Sequence, residues 1–414
     1  MKRVVITGLG TMSPVGNSTP EFWASITSGK SGIRRITRFD PSDFATQIAG
    51  EVKGFRPEDY LDKKDVRRTD LFVQYGVAAS LEAVAAAGLK EQDGGIDRDR
   101  AGVIIGSGIG GIETLETQHS NLMEKGPSRI SPFFIPMMIA DMAAGQISIR
   151  LGYRGPNFAA VSACASGAHA IGESFRLLAK GEADLIVTGG AEAAVTPLAI
   201  GGFCSMRAMS VRNNEPERAS RPFDAERDGF VMGEGAGIAI LESLEHAQGR
   251  GAPILAEMVG YGATADAHHV TAPSPAGEGA ARAMGLALQE AGLPPSAVDY
   301  INAHGTSTPM NDKYETMAVK TVFGDHAYRL ALGSTKSMTG HLLGAAAGIE
   351  FNIAVLSIRD NVIPPTTNFE HPDPDCDLDC VPNQARRREV NVVMSNSLGF
   401  GGHNVSLVVK RFEP

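Results

Sequence analysis

Eight short apolar runs, each closing on glycine or another small residue, recur along the chain with helical patterns between them. They are Val4–Gly10, Gly102–Gly106, Phe158–Ser162, Leu185–Gly190, Ile254–Gly260, Tyr300–Ala303, Leu330–Ser334 and Val390–Ser395. Runs that are β-branched and do not alternate with polar residues read as strands buried on both faces. Asp70–Ala87, Gly167–Lys180, Ala280–Ala291 and Gly344–Arg359 carry helical patterns. Strands alternating with helices predict an α/β fold with mostly parallel strands. The order strand, strand, strand–turn–helix, strand returns after about Arg250, which predicts two related halves, residues 1–250 and 251–414. No low-complexity linker separates them, so tight packing between the halves is expected.

Composition narrows the class. At 414 residues and 43% hydrophobic, the chain can bury a large core, which excludes disorder and small stapled scaffolds. The 48 glycines follow no G-x-y period and predict tight turns and close helix contacts. A net charge of −9 argues against a dedicated nucleic-acid binder. Cys164, Cys204, Cys376 and Cys380 are too scattered for a disulfide framework or a structural zinc site. Gly8, Gly10 and Pro14 interrupt the first apolar run before a signal peptide could form, and no stretch approaches a membrane span. A soluble, cytoplasmic protein is expected.

Two glycine patterns invite nucleotide readings. Gly106-Ser-Gly108-Ile-Gly-Gly111 fits the dinucleotide fingerprint G-x-G-x-x-G, but no acidic residue follows at the spacing that a ribose would need. Gly29-Lys30-Ser31 resembles the end of a P-loop, but Ala24 stands where the first glycine is required.

Cys164, in Val161-Ser-Ala-Cys164-Ala-Ser-Gly167, lies where a strand pattern gives way to a helix of small residues. A sulfur at a helix N-terminus gains thiolate character from the dipole and free N–H groups. Taken alone it reads first as a buried structural thiol. His304 closes another strand in Ile301-Asn-Ala-His304-Gly-Thr306-Ser-Thr308, and Lys336 and His341 occupy a third strand-to-helix turn. In a parallel α/β sheet the strand C-termini share one edge, where ligands bind. One thiol, two imidazoles and one amine therefore form a site hypothesis.

At these residues the chain resembles the condensing enzymes of the thiolase superfamily, and among them the elongating β-ketoacyl-acyl-carrier-protein synthases of type II. The resemblance is near full length. It runs through Val4–Gly10, Ala-Cys-Ala-Ser-Gly at Cys164 and Arg221-Pro-Phe-Asp224. It continues through Asp228–Gly235, the His304 and Lys336/His341 motifs, and Asn396-Ser-Leu-Gly-Phe400-Gly-Gly402. It implies a duplicated, five-layered αβαβα fold and a homodimer. Cys164 would accept an acyl group from acyl-carrier protein, with backbone N–H groups of Cys164 and Phe400 as the oxyanion hole. His304 and His341 would hold the thioester oxygen of malonyl-carrier protein while carbon dioxide leaves, and Lys336 would support the electrostatics. No cofactor or metal is required, since phosphopantetheine arrives on the carrier.

Further roles follow from the resemblance only. Phe400 would gate the pocket, although it also reads as a core aromatic; Thr306 and Thr308 would bind the phosphopantetheine arm. Ile109 and Phe134 would line the acyl pocket, although Pro132–Met142 reads equally as dimer core. A structural monovalent cation would sit near Asn302, Glu350, Ser395 and Asn396. Lys64, Arg67, Arg68 and Arg207 would dock the acidic carrier, an association that raised salt should weaken; the run at Lys63–Arg68 reads equally as a solvated helix face. Paired histidines argue against an initiating synthase, which has His–Asn, and the presence of Cys164 against a chain-length factor. Leu398, His403 and Asn311 depart from the common pattern. A ketosynthase subunit of a dissociated polyketide system would share every catalytic residue.

Overall fold

The computed structural model describes residues 1–89 and 96–414. Ten strands form one sheet: β1 (Val4–Met12), β2 (Ala101–Gly106), β3 (Asn157–Ala160), β4 (Leu185–Glu192), β5 (Gly235–Ser243), β6 (Ala256–Ala265), β7 (Tyr300–Asn302), β8 (Ala331–Gly333), β9 (Val392–Gly399) and β10 (His403–Lys410). Their spatial order is β8-β7-β9-β10-β6-β1-β5-β4-β2-β3. The first five and the last five strands thus follow one arrangement, third-second-fourth-fifth-first, and the two sets join where β1 pairs with β6.

The expectation of mostly parallel strands is corrected. Within each set the second, third and fourth strands are parallel, but the fifth and first are antiparallel to their neighbours. The expectation lacked β5 and β10, each of which lies antiparallel beside the strand before it, β10 after a short turn and β5 after a long connection that includes the helix Pro197–Ser205. Phe158–Ser162 was expected as a buried strand. Instead β3 is the sheet's edge, Phe158 is 41% exposed, and Val161 just beyond it is 61% exposed.

Five long helices cover the sheet: α1 (Leu71–Ala86), α2 (Ser166–Ala179), α3 (Glu278–Ala291), α4 (Pro309–Phe323) and α5 (Ala346–Asp360). Helix α5 is buried from Ala346 to Ile358 and touches β5 and β4 as well as β9 and β10, while α2 likewise contacts strands of both sets. These two form the middle layer between sheet surfaces, with α1 and α3 outside. Close approach explains the glycines: a Cβ at Gly10 would lie 1.9 Å from the Ala79 carbonyl oxygen of α1, and one at Gly262 2.0 Å from that of Ala283 in α3. Among the described residues no helix is long and apolar enough to cross a membrane.

Candidate active site

Cys164 sits on a sharp turn between β3 and α2. Ala163 takes φ +52°, a short 3-10 turn spans Ala163–Ala165, and α2 starts at Ser166. The turn is braced by the Ser166 hydroxyl, which donates to the Ala163 carbonyl at 2.7 Å, and by the Ser162 N–H, which donates to Ser166 Oγ at 2.9 Å. The sulfur is buried, and backbone N–H groups of Cys164 and Phe400 point at it. The expected thiolate is not the resting form. Burial pushes the thiol up to about 12, because desolvation outweighs the Lys336 charge and both N–H groups, while the Glu192 carboxylate adds to the rise.

His304 follows β7, and its backbone is fixed by Glu315 of α4. That carboxylate accepts from the N–H groups of His304 at 2.9 Å and Gly305 at 2.8 Å. His341 is fixed by the Asp228–Gly235 motif: its N–H donates to the Val231 carbonyl at 2.7 Å, and Gly233 donates to its carbonyl at 2.9 Å. The two imidazole rings lie edge to face, centroids 5.2 Å apart. The Nδ1 atoms of both are buried without a partner among the described residues. Both histidines are held well below 6.5, chiefly by burial and then by the Lys336 charge, so both are neutral.

Lys336 is itself buried and paired with Glu350 of α5. Burial raises the Glu350 carboxyl to about 7 in spite of that cation. Phe400 lies in the Gly399–Gly402 turn joining β9 to β10. Its ring is 6.4 Å from Phe203, which contacts Phe230 at 5.3 Å, which in turn meets His341 at 5.7 Å. A Cβ at Gly399 would come within 2.7 Å of the Ser162 carbonyl oxygen, so the turn is seated directly on the Cys164 elbow.

Cys164, His304, Thr306, Thr308, His341, Phe400 and Arg207 line one cavity of about 410 Å³. Thr306 and Thr308 hydroxyls meet at 3.1 Å. Lys64, Arg67 and Arg68 are exposed and outside that lining; Arg68 stacks over Phe133 at 4.3 Å. Ile109 and Phe134 are also outside it. Among the described residues Asn302 Oδ1 and Glu350 Oε2 are buried without partners, whereas Asn396 Oδ1 accepts from Ser406. No group of three or more histidine, cysteine, aspartate or glutamate side chains that could hold a metal occurs among the described residues.

Sequence reasoning missed Glu315, Glu192, Phe203 and Phe230. Each acid looks like an ordinary terminal residue, one in the first turns of a helix and the other at the end of a strand. The Arg221-Pro-Phe-Asp224 motif is structural: Arg221 Nε donates to Asp224 at 2.9 Å, and Asp224, held down to about 2, also accepts from the Glu370 and His371 N–H groups.

Residues 1–247 match the beta-ketoacyl synthase N-terminal domain and residues 255–370 the beta-ketoacyl synthase C-terminal domain. The chain is 55% identical over 412 residues to the 3-oxoacyl-[acyl-carrier-protein] synthase 2 of Staphylococcus aureus, covering 100% of this chain and 99% of that protein. The protein of that name from Synechocystis sp. is 54% identical over the same shares. A beta-ketoacyl synthase from Burkholderia phymatum superposes with a TM-score of 0.92 at 37% identity, covering 100% of both chains. The ishigamide ketosynthase/chain length factor gives 0.93 at 36%, again over 100% of both. With its two matched domains, its thiolase-like fold and relatives above half identity along its whole length, the chain belongs to the beta-ketoacyl synthase family.

Proposed function

We propose that this chain is an elongating 3-oxoacyl-[acyl-carrier-protein] synthase, an acyltransferase of fatty acid biosynthesis. The observation that carries the reading is one cavity holding a thiol under two backbone N–H groups together with two neutral imidazoles. Cys164 attacks the acyl thioester of the carrier and gives its proton to the departing carrier thiol. Because the resting sulfur is protonated, this proton leaves as the acyl carbon arrives. The tetrahedral oxyanion is held by the N–H groups of Cys164 and Phe400, each such donor being worth about 10²–10³ in rate.

Malonyl-carrier protein then enters, its arm passing Thr306 and Thr308. His304 and His341, being neutral, offer N–H donors to the thioester oxygen as the carbon–carboxylate bond breaks and carbon dioxide departs. The enolate attacks the acyl-Cys164 carbonyl, the carbon–sulfur bond breaks with Cys164 leaving as a thiolate that takes a proton from solvent, and a 3-oxoacyl chain two carbons longer leaves on the carrier. Lys336 acts through its charge, holding both imidazoles neutral and opposing the burial that keeps Cys164 a thiol.

We read residues 1–250 and 251–414 as the two repeats, supported by their common strand order. The working form is a cytoplasmic homodimer, supported by the exposed apolar edge at β3. Lys64, Arg67, Arg68 and Arg207 receive the acyl-carrier protein, and Ile109 and Phe134 the acyl chain. A monovalent cation near Asn302, Glu350, Ser395 and Asn396 fits the two unpartnered acceptors there and would supply charge balance beneath the site.

A second reading, the ketosynthase subunit of a dissociated polyketide system, is favoured by one observation. A type II polyketide ketosynthase solved in complex with its acyl-carrier protein superposes with a TM-score of 0.92 at 35% identity, covering 99% of this chain and 100% of that one. Intact-mass spectrometry separates the readings. The purified chain alone is mixed with long-chain acyl-carrier protein, then malonyl-carrier protein, with Cys164→Ala in parallel. An acyl adduct on wild type only, followed by a 3-oxoacyl carrier two carbons longer, is expected. An adduct without product at any acyl length points to a missing partner subunit, and no adduct at all overturns the mechanism.

A further inference from the structure

The fingerprint-like turn Gly106–Gly111 does cradle an anion, and the anion belongs to the chain. Glu192, at the end of β4, is fully buried. Its carboxylate accepts from Ser107 Oγ at 2.9 Å and from the N–H groups of Gly108 at 2.7 Å, Ile109 at 3.2 Å and Gly110 at 3.3 Å. A fifth donor comes from the other half of the sequence, the Gly344 N–H at 3.0 Å. Each neighbour donates, so the hydrogen-bond pattern selects the ionised carboxylate although burial raises this group. The approach needs glycine at two points. A Cβ at Gly344 would lie 2.3 Å from the Gly108 nitrogen and 2.7 Å from Glu192 Oε2, and one at Gly108 3.0 Å from Oε2.

The repeated sheet explains why an anion sits there. Strands β4 and β9 are the fourth of each set, each pairs over eight residues with the fifth, and Glu192 ends one as Gly399 ends the other. The elbow at Ala163 (φ +52°) also has a counterpart at Leu343 (φ +50°), each opening a three-residue 3-10 turn before a long helix. Gly344 is therefore the counterpart of Cys164. At the Cys164 elbow the space under the backbone N–H groups is left to a reacting oxygen; at the Gly344 elbow the carboxylate of Glu192 fills it.

We propose that Glu192 is a positioning residue for the condensation: its carboxylate ties the Ser107–Gly110 turn, which carries Ile109, to the loop that leaves His341, and so sets the acyl pocket in register with the decarboxylation site. Its charge also faces Cys164 and opposes thiolate formation. The inference rests on the function proposed above.

The test uses the full chain as wild type, Glu192→Gln and Ser107→Ala. One readout is the pH profile of Cys164 alkylation by iodoacetamide, followed by intact mass, with Cys164→Ala correcting for the other thiols. The second is the ratio of acyl-transfer rates from decanoyl- and hexadecanoyl-carrier protein. Glu192→Gln removes a carboxylate whose charge raises the Cys164 thiol, so alkylation at fixed pH should rise and its profile should move to lower pH, and the chain-length ratio should change at least about fivefold. Ser107→Ala keeps the charge, so its alkylation profile should match wild type while its ratio moves in the same direction. A folded Glu192→Gln with wild-type profile and ratio overturns the proposal. Should Glu192→Gln fail to fold, an unchanged ratio in Ser107→Ala overturns it and a moved ratio supports it. Wild type that takes no acyl group from either carrier overturns the functional reading instead, and the alkylation comparison still decides the charge effect.

Discussion

Lys336 has the largest electrical influence of any side chain in the site, lowering Cys164, His304 and His341 together. Its own burial is compensated by Glu350 alone among the described residues. In Lys336→Met both imidazoles should move back up towards 6.5, so the acid limb of the decarboxylation rate should shift to higher pH. The same variant leaves Glu350 unpaired; removing one partner of a buried pair costs about 3–5 kcal/mol. The Glu350 carboxyl lies near 7 with Lys336 present; without that cation it rises further and takes up a proton, a cost that grows with pH, so the destabilisation should be larger at pH 8 than at pH 6. Denaturant melts and a pH–rate profile check the two effects separately. The convergence of Cys164, His304, Lys336 and His341 was legible in the sequence because each belongs to a strand-to-helix turn rich in small residues, whereas Phe400 was indicated only by the family resemblance. Glu192 and Glu315 were not, since what identifies them is the set of backbone N–H groups that folding brings from elsewhere in the chain.

At the scale of elements, the strands with parallel neighbours were read from their unbroken apolar runs. Strands β5 and β10 carry weaker signals because each follows a glycine-rich motif directly, Asp228–Gly235 before β5 and Gly399–Gly402 before β10. Strand β3 shows the opposite failure. Its apolar pattern was genuine, but periodicity cannot distinguish a strand covered by its own chain from one left for another copy. An open edge bearing Phe158, with Val161 beside it, is what soluble chains normally cover or charge. The homodimer proposed above predicts that Val161→Asp shifts the species seen by light scattering from twice 43.5 kDa to a single chain. An unchanged mass would place the subunit contact elsewhere. The Gly399–Gly402 turn is the contrasting case: its glycines marked a turn in the sequence, and the fold seats that turn on the Cys164 elbow, which places Phe400 beside the sulfur.

For the whole molecule, buried titratable groups pull stability in opposite directions with pH. His304 and His341 are depressed below 6.5, so the unfolded chain binds protons that the folded chain refuses. The stability they confer is complete above 6.5 and is lost as pH falls towards their folded values, by about 1.4 kcal/mol per pH unit for each histidine. Glu234 and Glu350, raised to about 7, act in the reverse sense between 7 and 4.5, so the wild-type curve is flattened. The double variant His304→Asn/His341→Asn removes only the first effect. It should gain stability relative to wild type as pH falls from 7 to 5.5, measured by denaturant titration at each pH, and an unchanged difference would mean the imidazoles are charged in the fold.

The unbroken run of strands through β1 and β6 has a mechanical consequence. Groups drawn from the two ends of the chain are anchored in one continuous hydrogen-bonded fabric, so no hinge lies between the sulfur and the imidazoles. The frame that fixes the reacting groups is therefore stiff, whereas the turn that carries Phe400 contains glycines at positive φ and lines the cavity. Changes made in that turn should alter entry to the cavity without disturbing the alignment that the sheet preserves.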